Sequence, residues 1–423
     1  MPRRVAVTGL GLVTPVGIGT EETWRALLAG VSGIGPITRF DASEFTTRFA
    51  GEVRGFDPTR WISAREAKSS MSDLFIQFAM AAGTMAMDDA GLILDGELAE
   101  RTGCFIGSGM GGVATIEATH LALQSKGPRR GISPFFVTQI IINLAAGQLS
   151  IKYGAKGPCY GQVSACSSGA HAIGDAFRLI QRGEADAMIC GGSEAVVTPL
   201  GVGGFAAMRA LSTRNDAPAL ACRPFDLDRD GFVLSEGAGV LVLEELEHAQ
   251  KRGAHLYAIM EGYAANADAH HITAPAEEGE GVQRCMRAAL KDANLNAESI
   301  DYINAHGTST KMNDSTETLA IKKVFGDHAR KLMVSSTKSM TGHLLGAAGG
   351  VEAAFSALTV ARAQVPPTIN YTTADPECDL DYVPNIARDV KVGHALTNSF
   401  GFGGANACLI FGRPDAAGTG AVK

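Results

Sequence analysis

The sequence has few charged residues and no concentrated run of one sign. Charged residues make up 19% of the 423 positions, the formal net charge is −7, and no dense Lys/Arg run offsets it. A basic surface is needed to meet a phosphate backbone, so nucleic-acid binding is disfavoured. The most apolar stretch, near residues 140–151, contains two polar amides and is too short to span a bilayer. We expect neither a nucleic acid nor a membrane as partner.

Disulfide and metal patterns are also missing. The eight cysteines include no CxxC pair and no spacing typical of a disulfide framework, which favours a reduced, cytoplasmic compartment. Residues 1–4 lead directly into a strand-like run, which leaves no room for a signal peptide. There is no HExxH motif, and His270 and His271 are adjacent, so they cannot share a helical face. The sequence predicts no metal site.

Glycine, in contrast, is abundant, with 51 residues, and hydrophobic residues reach 46%. Residues 107–112 read GSGMGG and fit GxGxxG, and Gly9 and Gly11 begin a similar pattern. A dinucleotide site would also need an acidic residue about 20 positions further on, and neither segment supplies one. We therefore interpret both as tight turns and predict no cofactor.

Strand-like runs alternate with small-residue helices along the whole chain, which predicts an α/β fold with mainly parallel strands. The pattern restarts near residue 258, after a helix expected over 244–252. Residues 162–180 and 333–358 echo each other, since each reads as a strand, a reactive-looking turn and a helix. The echo is weak evidence for duplication.

The segment around Cys166 has the pattern of a nucleophile on a turn between a strand and a helix. Residues 160–171 read YGQVSACSSGAH, with a β-prone run over 161–165 and a helix over 168–182. The positive end of the helix dipole and the free N–H groups there favour a thiolate. On this segment alone, a buried structural cysteine would fit about as well.

Two histidines follow strand-like runs in the second half. His306 comes after the run over 299–305, and the run over 331–337 precedes His343. A lone histidine is usually a satisfied structural residue. Open α/β sheets, however, place ligand sites at the carboxyl ends of their strands. Three such turns carrying Cys, His and His indicate one site.

These motifs resemble the β-ketoacyl-acyl carrier protein synthases, and most closely the synthase II type. The matching segments are SACSSG at 164–169, NAHGTST at 304–310, SSTKSMTGH at 335–343 and NSFGFGGAN at 398–406. The resemblance covers about residues 4–412. It implies a β-ketoacyl-acyl carrier protein synthase, an acyltransferase that extends an acyl chain held on Cys166 by decarboxylative condensation with malonyl-acyl carrier protein.

The resemblance also implies a fold. We expect a thiolase-like duplicated α/β fold, layered α-β-α-β-α with mixed sheets, that pairs as a homodimer. The expected divisions are residues 1–255 for the half with the nucleophile, 256–412 for the half with both histidines, and 413–423 as a tail.

The resemblance implies roles for further residues. His306 and His343 would donate hydrogen bonds during decarboxylation, and Lys338 with Glu352 would orient the site. The N–H groups of Cys166 and Phe402 would form the oxyanion hole, Phe402 also acting as a gate. Acyl and pantetheine contacts are expected from Met110, Phe205, Thr308, Thr310 and Phe400.

The implied partner, acyl carrier protein, is acidic and would dock on a local basic patch. The candidates for this patch are Arg65, Lys68, Lys126, Arg129, Arg130, Arg209 and Arg214. One departure from the family pattern falls nearby, because residues 311–313 read KMN where Pro-x-Gly is common. This change puts the details of pantetheine contact and docking in doubt.

Three rival functions remain to be weighed. A ketosynthase of a polyketide or other specialised acyl pathway would differ in the shape of its acyl tunnel. A non-catalytic chain-length factor would lack the nucleophile, so Cys166 argues against it. A thiolase is disfavoured because its second catalytic cysteine has no counterpart at residues 398–406.

Overall fold

A computed structural model describes residues 2–65, 67–68 and 72–414. The strands are β1 Val5–Thr14, β2 Gly17–Ile18, β3 Gly35–Pro36, β4 Phe49–Ala50, β5 Thr102–Gly107, β6 Cys159–Gln162, β7 Ala187–Glu194, β8 Gly237–Glu245, β9 Ala258–Ala267, β10 Tyr302–Asn304, β11 Met333–Ser335, β12 Gln364–Val365, β13 Arg388–Asp389, β14 His394–Gly401 and β15 Ala405–Gly412. The α-helices are α1 Thr20–Leu28, α2 Leu74–Ala90, α3 Gly96–Glu100, α4 Val113–Lys126, α5 Pro128–Gly131, α6 Phe136–Ile140, α7 Asn143–Tyr153, α8 Ser168–Gln181, α9 Pro199–Ala207, α10 Leu246–Lys251, α11 Glu280–Asp292, α12 Lys311–Phe325, α13 Lys338–Thr341 and α14 Ala348–Arg362. Of the tail expected over 413–423, residues 415–423 lie outside the described residues.

Two half-sheets with the same strand order form the centre of the molecule. The first runs β6-β5-β7-β8-β1 and the second runs β11-β10-β14-β15-β9. In each, the first three strands are parallel and the last two pairings are antiparallel. Pairing of β1 with β9 joins the half-sheets edge to edge through three residue pairs. The order and direction of the strands confirm the predicted duplicated α/β fold with mixed sheets.

Helices lie on both faces of each half-sheet and complete five layers. Helices α8 and α14 contact strands of both half-sheets and form the middle layer. Helices α2 and α7 cover the outer face of the first half-sheet, and α11, with α12 packed against it, covers the second. Side chains alternate across each strand, so Leu241 and Leu243 face the middle layer while Val240 and Val242 face α2.

Glycine lets the two middle helices approach closely. A Cβ atom on Gly349 would lie 2.4 Å from the Ala170 nitrogen, and one on Gly169 would lie 2.8 Å from the Gly350 nitrogen. Real Cβ atoms are not found that close to backbone, so larger residues would force the helices apart. The small residues of both helices are therefore needed for the layer to form.

Two element boundaries differ from the sequence-based expectations. The strand expected over 161–165 is β6, which ends at Gln162, and Ala165–Ser167 form a 3₁₀ turn. The helix expected over 244–252 begins only at Leu246, because Glu244 and Glu245 end strand β8. Within the described ranges, no helix is long and apolar enough to cross a membrane.

Candidate active site

Cys166 lies on a tight turn between β6 and α8. The preceding residue, Ala165, has φ of +51°, a left-handed conformation that is uncommon for any residue but glycine. The Ser168 side chain holds this turn, because its hydroxyl donates to the Ala165 carbonyl at 2.7 Å and accepts from the Ser164 nitrogen at 2.9 Å. Local strain of this kind is found where a fold must present a side chain at a fixed place. The turn aims Cys166 into the molecule.

The Cys166 side chain is a neutral thiol at rest. It is 8% exposed, and burial raises the pKa of the thiol to about 12. The nearby Lys338 charge and the backbone N–H groups of Phe402 and Cys166 act in the opposite direction. The helix end was expected to favour a thiolate, but desolvation of the charged form outweighs these contributions. The sulfur must therefore lose its proton before or as it reacts as a nucleophile.

His306 and His343 lie side by side on the same cavity. His306 follows β10 and His343 follows α13, and their ring centroids are 5.4 Å apart at an interplanar angle of 88°. Burial, and next the Lys338 charge, hold the pKa of both imidazoles well below the usual range, so both are neutral at neutral pH. Both Nδ1 atoms are buried without a hydrogen-bond partner among the described residues. Each ring is therefore a neutral imidazole with one N–H group that can donate a hydrogen bond to a ligand.

A buried ion pair supplies the positive charge of the site. The Lys338 ammonium, on the first residue of α13, binds the Glu352 carboxylate on α14, and both side chains are almost fully buried. Burial raises the pKa of Glu352, and the adjacent Lys338 lowers it. The Lys338 charge also acts on the pKa of Cys166 and of both histidines. One lysine therefore influences every reactive group.

Cys166, His306 and His343 share a cavity of about 620 Å³. The predicted contact residues Phe205, Thr308, Thr310, Phe400 and Phe402 line it as well. The hydroxyls of Thr308 and Thr310 are 3.0 Å apart. Such a chamber offers an apolar wall and a few placed polar groups, as small-molecule sites do.

Met110 is the predicted contact that the cavity does not include. Its side chain is 39% exposed, and it is absent from the described residues that line the cavity. Its backbone nitrogen is instead bound by the buried carboxylate of Glu194 at 3.2 Å. Met110 therefore does not line this cavity, and its contact with an acyl chain stays a prediction.

The loop that carries Phe402 is rich in glycine. Phe402 is 38% exposed and its ring centroid lies 6.5 Å from that of Phe205. Gly403 and Gly404 have φ of +83° and +74°, which favours glycine. The Gly403 nitrogen donates to the Ile272 carbonyl at 2.8 Å, which ties the loop to the segment after β9.

Comparison with known families explains why these groups occur together. A profile described as Beta-ketoacyl synthase, N-terminal domain matches residues 2–249, and one described as Beta-ketoacyl synthase, C-terminal domain matches residues 257–372. The chain belongs to the β-ketoacyl synthase family.

Curated relatives agree with this assignment over nearly their whole length. Proteins named 3-oxoacyl-[acyl-carrier-protein] synthase 2 from Coxiella burnetii and Synechocystis are each 54% identical to this synthase. The match covers 97% of the chain and 99% and 98% of those relatives. The protein of that name from Staphylococcus aureus is 51% identical over 98% of the chain and 99% of its own length.

Solved structures share the fold of this synthase. A β-ketoacyl synthase from Burkholderia phymatum superposes with a TM-score of 0.89 at 38% identity, covering 97% of the chain and 99% of its own. A type II polyketide ketosynthase solved in complex with its acyl carrier protein gives a TM-score of 0.87, also at 38% identity, covering 98% of the chain and 100% of its own.

The candidate docking cations of the synthase lie at different places. Arg65, Lys68, Lys126, Arg129, Arg130 and Arg209 are exposed and Arg214 is half-buried. Of these, only Arg209 lines the cavity. Lys311, the residue that departs from the family pattern, also lines the cavity and is exposed as the first residue of α12. The Thr310 hydroxyl, which caps α12, accepts from the Asn313 nitrogen at 3.3 Å, so the altered segment still begins this helix.

Two buried carboxylates near the reactive groups escaped the sequence analysis. Glu317 on α12 accepts from the His306 and Gly307 nitrogens at 2.9 and 2.8 Å and from the Asn398 side chain at 3.1 Å. Glu194, at the end of β7, is a second buried carboxylate that accepts hydrogen bonds from backbone nitrogens, and it lies near Cys166. A glutamate eleven residues from a histidine carries no recognisable spacing, so only the folded chain reveals these contacts.

Proposed function

We propose that this β-ketoacyl synthase extends an acyl chain, held as a thioester on Cys166, by decarboxylative condensation with malonyl-acyl carrier protein to give 3-oxoacyl-acyl carrier protein. One observation carries the proposal: Cys166 shares a cavity with two neutral imidazoles, His306 and His343. A sulfur nucleophile and two neutral donors suit a reaction that first forms a thioester and then stabilises an enolate.

In the first half-reaction, the Cys166 sulfur attacks the thioester carbonyl of acyl-acyl carrier protein. The new carbon–sulfur bond forms as the thiol proton leaves, the bond to the pantetheine sulfur breaks, and that sulfur takes up a proton. The N–H groups of Cys166 and Phe402 face the reacting sulfur and are placed to donate to the carbonyl oxygen as it becomes negative. Lys338 stabilises the negative charge that passes over the sulfur.

In the second half-reaction, malonyl-acyl carrier protein loses carbon dioxide. The electron pair of the broken carbon–carbon bond forms an enolate, and His306 and His343 donate N–H groups to its oxygen. The enolate carbon attacks the Cys166 thioester, the carbon–sulfur bond breaks, and the sulfur takes a proton from water. The raised pKa of Cys166 favours this return to the thiol.

Substrate reaches Cys166 on acyl carrier protein, which docks on the exposed cations. Arg209 at the cavity supports this placement, since an acidic partner needs a local basic patch on a chain of net charge −7. Lys338 and Glu352 act from within, and Phe205, Phe400, Thr308 and Thr310 hold the acyl and pantetheine portions.

The enzyme acts as a homodimer paired near β6. Strand β6 is the last strand of its half-sheet, and the exposed apolar side chains of Tyr160 and Val163 lie on it and directly after it. An uncovered strand edge with apolar neighbours is a surface that pairing would cover. Pairing there would also bring a partner against the exposed Met110 face of the chain.

Elongation of fatty acids fits better than a specialised pathway. The curated relatives named 3-oxoacyl-[acyl-carrier-protein] synthase 2 reach 51–54% identity, whereas the polyketide ketosynthase reaches 38%. A chain-length factor is disfavoured because Cys166 is present and faces the cavity.

Substitution of Cys166 tests the proposal. Cys166→Ala should abolish acyl-enzyme formation, measured by mass spectrometry after incubation with acyl-acyl carrier proteins of graded chain length. Cys166→Gln should release carbon dioxide from malonyl-acyl carrier protein without condensation, because a side-chain amide resembles the acyl thioester. Cys159→Ala is the matched control, since Cys159 is the exposed thiol and should leave acylation unchanged. A stable acyl adduct on Cys166→Ala would overturn the assignment.

A further inference from the structure

Glu194 places a buried carboxylate directly behind the nucleophile. It ends β7 and is fully buried. Its two oxygens accept from the Gly109 nitrogen at 2.7 Å, the Met110 nitrogen at 3.2 Å, the Gly346 nitrogen at 3.0 Å and the Ser108 hydroxyl at 2.8 Å. Ser108, Gly109 and Met110 follow β5, and Gly346 precedes α14. One side chain therefore joins turns from both halves of the molecule.

Burial raises the pKa of Glu194, whereas its four hydrogen-bond donors lower it and favour the ionised carboxylate. Three of its partners are backbone N–H groups, which can only donate. The fourth, the Ser108 hydroxyl, accepts from the Gly111 nitrogen at 3.1 Å, so its own proton is free for Glu194. If the carboxyl were protonated, its own proton would have no acceptor, because all four partners donate hydrogen bonds to it. Among the described residues, no Lys, Arg or His forms an ion pair with Glu194, so three backbone N–H groups and one hydroxyl stabilise its charge.

The carboxylate is packed tightly between these turns. A Cβ atom on Gly346 would lie 2.7 Å from Oε2 of Glu194, and one on Gly109 would lie 2.9 Å from the same oxygen and 3.5 Å from the Ala165 carbonyl oxygen. Ala165 is the left-handed residue of the Cys166 turn. Glu194 is therefore separated from the nucleophile turn by little more than one glycine.

We propose that Glu194 is a positioning residue with two effects: its carboxylate fixes the two turns behind Cys166, and its negative charge adds to burial in disfavouring the Cys166 thiolate. The inference rests on the proposed function only in taking Cys166 as the nucleophile. A neutral thiol resists alkylation and oxidation, since the thiolate is the reactive form.

The charges that face Cys166 oppose one another. Lys338 favours the thiolate and Glu194 disfavours it, while His306 and His343 are neutral and line the same cavity. Glu352 is paired with Lys338. Removal of the Glu194 charge would remove one of the contributions that raise the pKa of Cys166, so the thiol would ionise at lower pH although burial would still oppose ionisation.

Alkylation of Cys166 by iodoacetamide as a function of pH tests this, read by mass spectrometry of the Cys166 peptide. Glu194→Gln should lower the midpoint by about one pH unit, which is roughly a tenfold faster reaction at a pH below both midpoints. Glu194→Asp keeps the charge and should retain the midpoint, but its shorter side chain should slow single-turnover acylation.

Asp73→Asn is the matched control. Asp73 is a buried carboxylate that accepts from the Phe75 and Thr115 nitrogens and the Thr115 hydroxyl, and it joins α2 to α4. Its loss should reduce stability without moving the alkylation midpoint. An unchanged midpoint in Glu194→Gln, or an equal shift in Asp73→Asn, would overturn the electrostatic role.

A variant that leaves the charge in place tests the positioning role. Gly346→Ala puts a methyl group 2.3 Å from the Gly109 nitrogen and 2.7 Å from Oε2 of Glu194, so it displaces the turn that the carboxylate holds. It should slow acylation several-fold, with the alkylation midpoint unchanged; unaltered acylation would overturn the role. This variant also serves if Glu194→Gln does not fold. Alkylation needs no acyl substrate, so a failure of condensation would count against the proposed function and leave the midpoint result intact.

Discussion

The two halves of the molecule use one scaffold but connect it differently. In the first, residues 163–167 link β6 to α8 and present Cys166 on a turn of minimal length. In the second, residues 336–347 link β11 to α14, and the extra length holds α13 with Lys338, followed by His343. The strand order is the same in both. Under the proposed function, the short connection would carry the covalent chemistry and the long one would carry Lys338 and His343, two of the groups that handle charge.

The sharpest test of this division is removal of the histidines. His306→Ala and His343→Ala should each reduce carbon dioxide release about a hundred- to thousandfold, because each loses a donor aimed at developing charge. Transfer of the acyl group to Cys166 should fall less. Single-turnover acylation and carbon dioxide release are measured side by side, with His120→Ala, an exposed residue of α4, as control. If both half-reactions were slowed equally, the division would be wrong, and one histidine would instead act as the base that removes the proton from Cys166.

Lys338 affects both halves, because its charge lowers the pKa of Cys166 in the first half and of the two histidines in the second. Lys338→Met removes the charge that lowers the pKa of both imidazoles, so these pKa values should rise and the rings should protonate at higher pH. Decarboxylation needs neutral imidazoles, so the acidic limb of its pH profile should move to higher pH, with about a tenfold loss near pH 6. The double variant Lys338→Met/Glu352→Gln is the control for the Glu352 carboxyl, which the single variant leaves buried without its ion-pair partner. An unmoved acidic limb would show that burial alone keeps the rings neutral.

The smallest expected effect concerns the loop that bridges the halves at Phe402. Gly403→Val places a β-branched side chain at φ of +83°, which should strain the loop and slow acylation several-fold while decarboxylation is comparatively preserved. Gly253→Val, at φ of +72° with open space around it and far from the cavity, imposes similar backbone strain. Rapid-quench acylation of both variants makes the comparison. If Gly253→Val slowed acylation as much, the effect would reflect stability and not the gate.

Local sequence patterns predicted much of the architecture, because helix and strand periodicity survive in short segments. The alternation of elements and the echo between residues 162–180 and 333–358 correspond to the duplicated half-sheets. Boundaries were less accurate where residues that favour helices end a strand, as at Glu244 and Glu245.

The reactive residues of the site were recognisable because each lies in a motif. Glu194 and Glu317 were not, since their importance comes from backbone nitrogens supplied by distant segments. Met110 shows the converse: it lies in a motif, yet its side chain is outside the cavity. Under the proposed homodimer, a partner chain would complete the surroundings of this side chain.

The shared middle layer makes the duplicated molecule indivisible. Helices α8 and α14 each pack on strands of both half-sheets. Their backbones come into contact at glycines, which have no side chain to keep them apart. If the two halves were separated, the inner face of each half-sheet would lose part of its cover, because one of the two middle helices belongs to the other half. Unfolding of one half exposes the core of its twin, so the two repeats should melt as a single cooperative unit.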